Sequence, residues 1–175
     1  MNAESIMLIG QGFGLVAVIL GFISFQVKTA RKLLVIQTFT CLVFTLHYFL
    51  LGATPAGVLN LVGLIRNLVY YHKEKNRYLE KYSPYAFALI MLVLGLLSWK
   101  GAHSILVVAG LVINTVCLSF KDPQNIRKSI LVTSPMVLVY DVFELSVGGM
   151  IYESVVIVSS LIGLLRFRKK DAGNQ

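Results

Sequence analysis

The chain has 175 residues, of which 57% are hydrophobic and only 14% charged, and its mean hydropathy of +0.77 is far too apolar for a water-soluble fold of this size. A net charge of +8 would suit a nucleic-acid binder, because counterion release rewards clustered cations on phosphate. Here the cations stand at the borders of apolar stretches, so no nucleic-acid partner is expected; the standing partners are membrane lipids, with some attraction to anionic headgroups.

The apolar stretches run from Met7 to Phe25, Leu33 to Leu51, Thr54 to Tyr71, Pro84 to Trp99, Ser104 to Phe120, Ser129 to Val147 and Met150 to Leu165. At 1.5 Å per residue, a stretch of about 19 residues spans roughly 28 Å, close to the hydrocarbon thickness of a bilayer. The fourth and seventh stretches are short for that task. Continuous apolar runs without period-two alternation exclude a β-barrel, so the expected fold class is all-α, a polytopic membrane protein with seven transmembrane helices. No Lys or Arg precedes the first stretch, Glu4 does, and no small-x-small cleavage site follows; this stretch is expected to remain as a helix.

Fifteen of the 16 Lys and Arg residues fall in every second gap. Lys28, Arg31 and Lys32 follow the first helix; Lys73, Lys75, Arg77 and Lys81 the third; Lys121, Arg127 and Lys128 the fifth; Arg166, Arg168, Lys169 and Lys170 the seventh. Arg66 lies in the third helix near that same border, where its side chain is expected to snorkel to headgroups. Short cationic loops stay cytoplasmic, which places the amino end outside and the carboxyl end in the cytoplasm. Lys100 alone is left outside. Gly52-Ala53 and Gly148-Gly149 are read as tight outer turns, where glycine permits positive backbone angles. Pro84 is read as a helix start. Trp99, Tyr70, Tyr71 and Tyr82 sit at borders, as amphipathic rings prefer. Cys41 and Cys117 read as small core hydrophobes, and Gly10 and Gly14 as a close helix-packing pair.

The first and last three stretches resemble two copies of one unit. ISFQVKTARKLLV, from Ile23, parallels LSFKDPQNIRKSILV, from Leu118; Gly52 matches Gly148, and both third helices carry Gly-Leu-x-Arg, at Gly63 to Arg66 and Gly163 to Arg166. The glycine match sets Tyr48 opposite Glu144 and Thr45 opposite Asp141, whereas the Gly-Leu-x-Arg match, shifted by about one turn, sets Asn60 opposite Ser160. Cations at inner borders and glycines in outer turns are common to membrane proteins, so coincidence competes with duplication. Three helices per unit is an odd number, and a fourth helix restores orientation. The plan is 3+1+3 with parallel three-helix repeats: residues 5–72 as the first, 83–100 as the linking helix and 103–168 as the second, with substrate sites of such architectures lying between repeats near the midplane.

The segments LHYFLLGATPAGVLNLVGLIRNLV and YDVFELSVGGMIYESVVIVSSLIGLLRFR resemble the bacterial inner membrane protein family called YgjV over nearly the whole chain, most sharply at His47 to Gly52 and at Gly148, Gly149 and Glu153. That family is distantly similar to the SWEET and PQ-loop transporters, and the resemblance implies fold more than activity. It implies a Pro-Gln near the cytoplasmic end of a repeat's first helix, met here by Pro123-Gln124, and hinge prolines, of which Pro123 and Pro135 both fall in the second unit. It also implies that Asn60 stands near the depth where SWEET-like proteins bind substrate through an asparagine.

Burying an unpaired amide costs on the order of 1 to 3 kcal/mol, so Asn60 needs a helix partner or a ligand, and interhelical hydrogen bonding competes with binding. Ser160, Tyr48 and Tyr140 complete the expected substrate contacts, with Asn114 a weaker candidate. Asp141 and Glu144 share a face of the sixth helix, and Glu153 begins the seventh; they are expected to form an acidic vestibule or proton path, joined by His47, which titrates near neutrality. Arg66 is an anion or headgroup contact. The leading reading is a carrier for a small polar solute; a non-transporting membrane scaffold or regulatory component is the alternative. No catalytic constellation, metal site or cofactor is expected. Substrate, coupling ion, direction and assembly with a second copy stay open.

Overall fold

The computed structural model of the chain describes residues 3–26, 30–72, 76–120 and 123–172, with side chains described except at 3, 24–26, 30, 33, 123 and 166–172. Lys28, Lys73, Lys75 and Lys121 lie outside the described residues, as do the side chains of Pro123, Arg166, Arg168, Lys169 and Lys170. Among the described residues the chain forms seven α-helices: α1 (Ala3–Gln26), α2 (Ala30–Leu50), α3 (Thr54–His72), α4 (Arg77–Leu97), α5 (Ser104–Cys117), α6 (Pro123–Phe143) and α7 (Val147–Ala172).

Three contain segments long and apolar enough to cross a membrane: Glu4–Ile23 in α1, Arg77–Leu97 and Val147–Leu165 in α7. α2 and α5 offer the shorter apolar segments Leu34–Leu50 and Ser104–Cys117. α3 and α6 are long enough, at 19 and 21 residues, but carry Arg66, Asn67, Thr133, Ser134 and Asp141, all of which turn inward and are buried. The surface is the reverse: Leu8, Ile19, Phe22, Leu89, Leu96 and Ile162 are exposed. Apolar residues face outward and polar residues inward, the polarity of a bundle whose solvent is hydrocarbon.

Helix ends differ from the expected borders where glycine, proline and charge were read locally. α4 opens at Arg77, seven residues before Pro84, because the Asn76 side chain accepts the Tyr78 N–H at 2.9 Å and caps it. Pro84 therefore lies inside a helix of 21 residues and is buried. α7 likewise starts at Val147, so Gly148 and Gly149 belong to its first turn and not to the connection. The positive backbone angle of that hairpin falls on Leu145 (φ 52°), whereas Gly52 (φ 73°) serves the other hairpin as expected.

Each helix packs on its neighbours in sequence, α1 also packs on α7, and α3 touches α5 directly. Helices α1, α2, α3, α5, α6 and α7 thus close a ring, with α4 set against the α3/α5 joint. The α2–α3, α4–α5 and α6–α7 connections share one end of the bundle, called here the hairpin end. At this end α1 meets α7 through bare backbone, Gly14 lying directly on Gly148. Gly10 is equally close, against the Leu51 and Leu50 side chains, while Gly12 faces open space. The glycine pair on α1 does pack helices, as its spacing suggests.

The hairpins after α2 and α6 carry the same hydrogen bonds. Ala53 N–H donates to Tyr48 O as Ser146 N–H does to Asp141 O; Leu51 N–H donates to His47 O as Glu144 N–H does to Tyr140 O; and Gly57 N–H donates to Ala53 O as Met150 N–H does to Ser146 O. These pairs share the 93-residue spacing of Tyr48 and Asp141. The glycine match in the sequence is therefore three residues out of register. By the spacing of these hairpin bonds Tyr48 matches Asp141 where the sequence register had Glu144, and Asn60 falls opposite Glu153 where it had Ser160.

Candidate functional site

A cavity of about 80 Å³ lies inside the bundle, room for several waters by ordinary cavity measures. Gln37, Thr40, Cys41 and Tyr48 face it from α2, Asn60, Gly63 and Arg66 from α3, Asn114 from α5, and Tyr152 and Glu153 from α7; Leu59, Met91, Val107 and Val137 supply apolar walls. Of the expected substrate contacts, Asn60 and Tyr48 reach this space. Tyr140, fully buried, packs instead beside the His103 ring at 5.7 Å, and Ser160, also buried, is not among the lining residues. The Gly-Leu-x-Arg match that pointed to Ser160 lies seven residues out of the hairpin spacing, which leads from Asn60 to Glu153 instead.

Asn60 makes neither the interhelical bond nor an empty gesture: its Nδ2 donates to Ala56 O of its own helix at 2.9 Å. Asn114 leaves its Oδ1 buried with no hydrogen-bond partner. Arg66 corrects the expectation of snorkelling. It is 3% exposed, its Nε and Nη2 donating to Asn67 Oδ1 at 3.1 and 2.9 Å and its Nη1 to Thr115 Oγ1 at 2.7 Å. These neutral acceptors hold the guanidinium inside the bundle. Thr115 donates onward to Leu111 O, and Tyr70 Oη donates to Thr115 O.

The three carboxyl groups of the expected acidic vestibule have different partners. Glu144 faces the hairpin end and is paired, with Lys100 Nζ and His103 Nε2 each at 2.9 Å. Glu153 turns to the cavity with Ser134 as a hydrogen-bond partner. Asp141 is fully buried and accepts from Tyr48 Oη at 2.8 Å through Oδ1, while Oδ2 has no partner. Among the described residues no three His, Cys, Asp or Glu groups converge to hold a metal ion.

His47 is fully buried and joins helices. Its Nδ1 is 2.7 Å from Gly10 O and its Nε2 2.7 Å from Ser146 Oγ. A carbonyl only accepts, so Nδ1 carries hydrogen; in the neutral ring Nε2 then accepts from the Ser146 hydroxyl. Gly149 N–H donates to that hydroxyl oxygen at 3.2 Å, and the bare Gly149 leaves room for Ser146 Oγ beside Asp141 Oδ2. Ser, His and Asp are thus neighbours, but the carboxylate binds Tyr48 and not the imidazole, which is not the order of a hydrolytic triad. Gln11 closes the same end, its Nε2 donating to Leu145 O at 2.8 Å and its Oε1 accepting from Gly148 N–H.

The hinge candidates lie apart from the cavity. Pro123 opens α6, Gln124 accepts from Arg127 Nη1 at 3.2 Å, and Pro135 lies within α6 on its exposed face. Sequence reasoning missed Gln37, Gly63, Asn67, Thr115, Ser134 and Ser146. Their common signal is polarity or smallness inside otherwise apolar helices and turns.

The model of the Imp-YgjV family, described as bacterial inner membrane protein, matches residues 8–171. The chain belongs to this family. Membership over nearly the whole length makes it a multi-pass protein of the bacterial inner membrane, in agreement with the inverted polarity of the bundle. No curated protein and no solved structure gives a significant match.

Proposed function

We propose that this Imp-YgjV protein is a carrier for a small polar solute, bound in the cavity between α1–α3 and α5–α7. The observation that carries the reading is that cavity, partly open, lined from both halves and holding the polar side chains of Asn60 and Glu153 among apolar walls. The packing pattern supports two parallel units: exchanging α1, α2 and α3 for α5, α6 and α7 maps every packed pair of the ring onto another packed pair, and α4 is the helix left over. In this reading all seven helices cross the bilayer, with the amino end outside, the carboxyl end cytoplasmic and the hairpin end facing out. Asp141 and Tyr48 form the charge path beside the cavity. A scaffold would present a polar stripe to its partner, and the apolar outer surface speaks against that alternative.

Uptake into proteoliposomes from a panel of neutral, anionic, cationic and zwitterionic solutes tests the proposal. At least one solute should accumulate over protein-free vesicles, and Asn60→Ala should lower its uptake about tenfold while Gly12→Ala leaves it unchanged. A panel that is neither moved nor able to shift the melting temperature would overturn the reading.

A further inference from the structure

Resting on the carrier reading, we propose that the solute is a small zwitterion whose carboxylate is held by Arg66 and whose amine is held by Glu153. Both ionisable side chains line one cavity, and neither forms an ion pair among the described residues: the described ion pairs, from Lys100 and His103, both go to Glu144. A buried charge without a counter-charge is strongly disfavoured, and an intramembrane ionisable group marks a ligand or ion path.

The guanidinium is arranged for a carboxylate. Its bonds to Asn67 and Thr115 occupy Nε and one hydrogen on each terminal nitrogen, which leaves two further N–H donors. Guanidinium N–H groups are matched by carboxylate oxygens. Space beside them is provided by Gly63, where a Cβ would stand 3.6 Å from Nη2 and 3.3 Å from Cys41 Sγ. The guanidinium therefore reaches back along α3 to the level of Gly63 and Cys41.

Glu153 reaches the same cavity from α7, in the other half of the ring. A guanidinium and a carboxyl group thus open on one cavity with no direct bond between them. Asn114 adds the orphaned Oδ1 as an acceptor on the α5 wall, and an ammonium carries the N–H donors that it lacks. A neutral solute would leave both charges uncompensated, an organic cation would meet Arg66, and a simple carboxylate would meet Glu153.

The test uses the full-length reconstituted protein with glycine and alanine as zwitterions, acetate and lactate as anions, ethanolamine as a cation and glycerol as a neutral solute. Glycine or alanine uptake should exceed that of every other probe at least tenfold. Glu153→Gln should reverse the preference toward acetate or lactate, Arg66→Gln should abolish uptake of both classes, and Arg66→Lys, keeping charge without the fork, should retain part of it. Monodisperse, thermally stable protein in detergent qualifies each variant, and the Glu153→Gln reversal is a gain that misfolding does not produce. Uptake of glycerol, ethanolamine or lactate by the native protein with glycine and alanine inert overturns this assignment and leaves the carrier reading standing. Failure of every probe to move or to shift the melting temperature overturns both.

Discussion

At the scale of single residues, the interior is held by close backbone approach and by buried polar groups that find partners. A side chain at Gly148 would run into the Gly14 backbone, so Gly148→Leu should cost about 1–3 kcal/mol or more through overpacking. Gly12→Ala, facing open space, should leave the melting temperature in detergent within error; equal losses from both would contradict the α1–α7 contact. His47→Ala removes the acceptor of the Ser146 hydroxyl and a bond to α1, an expected loss of about 1–3 kcal/mol. His47→Gln, with a donor and an acceptor of its own, should lose less in the same denaturation measurement. By contrast Lys100 and Glu144 form a pair whose lysine is 46% exposed, so Lys100→Gln should change stability by no more than about 1 kcal/mol. Sequence alone marked Arg66, Asn60 and Glu153 as polar groups in apolar helices, which is a property of composition. It placed the Arg66 head at the lipid border because snorkelling needs only a flexible stem. The acceptors Asn67 and Thr115 that draw it inward come from two helices, and their convergence is set by tertiary packing.

At the scale of elements, helix existence follows from runs of apolar residues, and helix ends do not. The charged segment between Arg77 and Ser83 continues α4 because the Asn76 cap starts it, a signal that competed with the more conspicuous Pro84. Gly148-Gly149 suits a turn or a helix start equally on local grounds. Contact with Gly14 decides between them, and that contact spans almost the whole chain. The consequence falls on Leu145, which adopts the left-handed angle without being glycine. Left-handed backbone costs an ordinary L-residue roughly 1–2 kcal/mol. Leu145→Gly should therefore raise the melting temperature, and Gly52→Ala, at φ 73°, should lower it. Opposite signs from the two hairpins are the expected result; a loss from Leu145→Gly would show that its side chain matters more than its backbone. The same turns corrected the repeat register. Slips of three residues at the glycines and seven at the Gly-Leu-x-Arg match move a position by about 4.5 and 10.5 Å along a helix while nearly preserving its face, so the mismatches left the periodicity intact and still exchanged Ser160 for Glu153.

At the scale of the whole molecule, the all-α fold, the membrane environment and the count of seven helices were legible in hydropathy, whereas the ring and its cavity were not, because helix adjacency is not encoded in apolar length. The proposed orientation predicts that single cysteines at Ser5 and Asn174, in a variant lacking Cys41 and Cys117, react on opposite faces. An impermeant maleimide added to intact spheroplasts should label the first and spare the second until lysis. Labelling of both from one side would remove the parallel arrangement. Tyr48 and Asp141 occupy matching places in the two hairpins and bond to each other across the bundle. Such a pair stands where a residue would confront its own twin if the halves were separate identical chains. Twin tyrosines or twin aspartates could not divide the roles of proton giver and proton taker so cleanly. In the proposed two-unit plan, covalent linkage of the halves lets the two sides of that meeting point specialise independently, and the Tyr–Asp clasp is the asymmetry which that freedom permits.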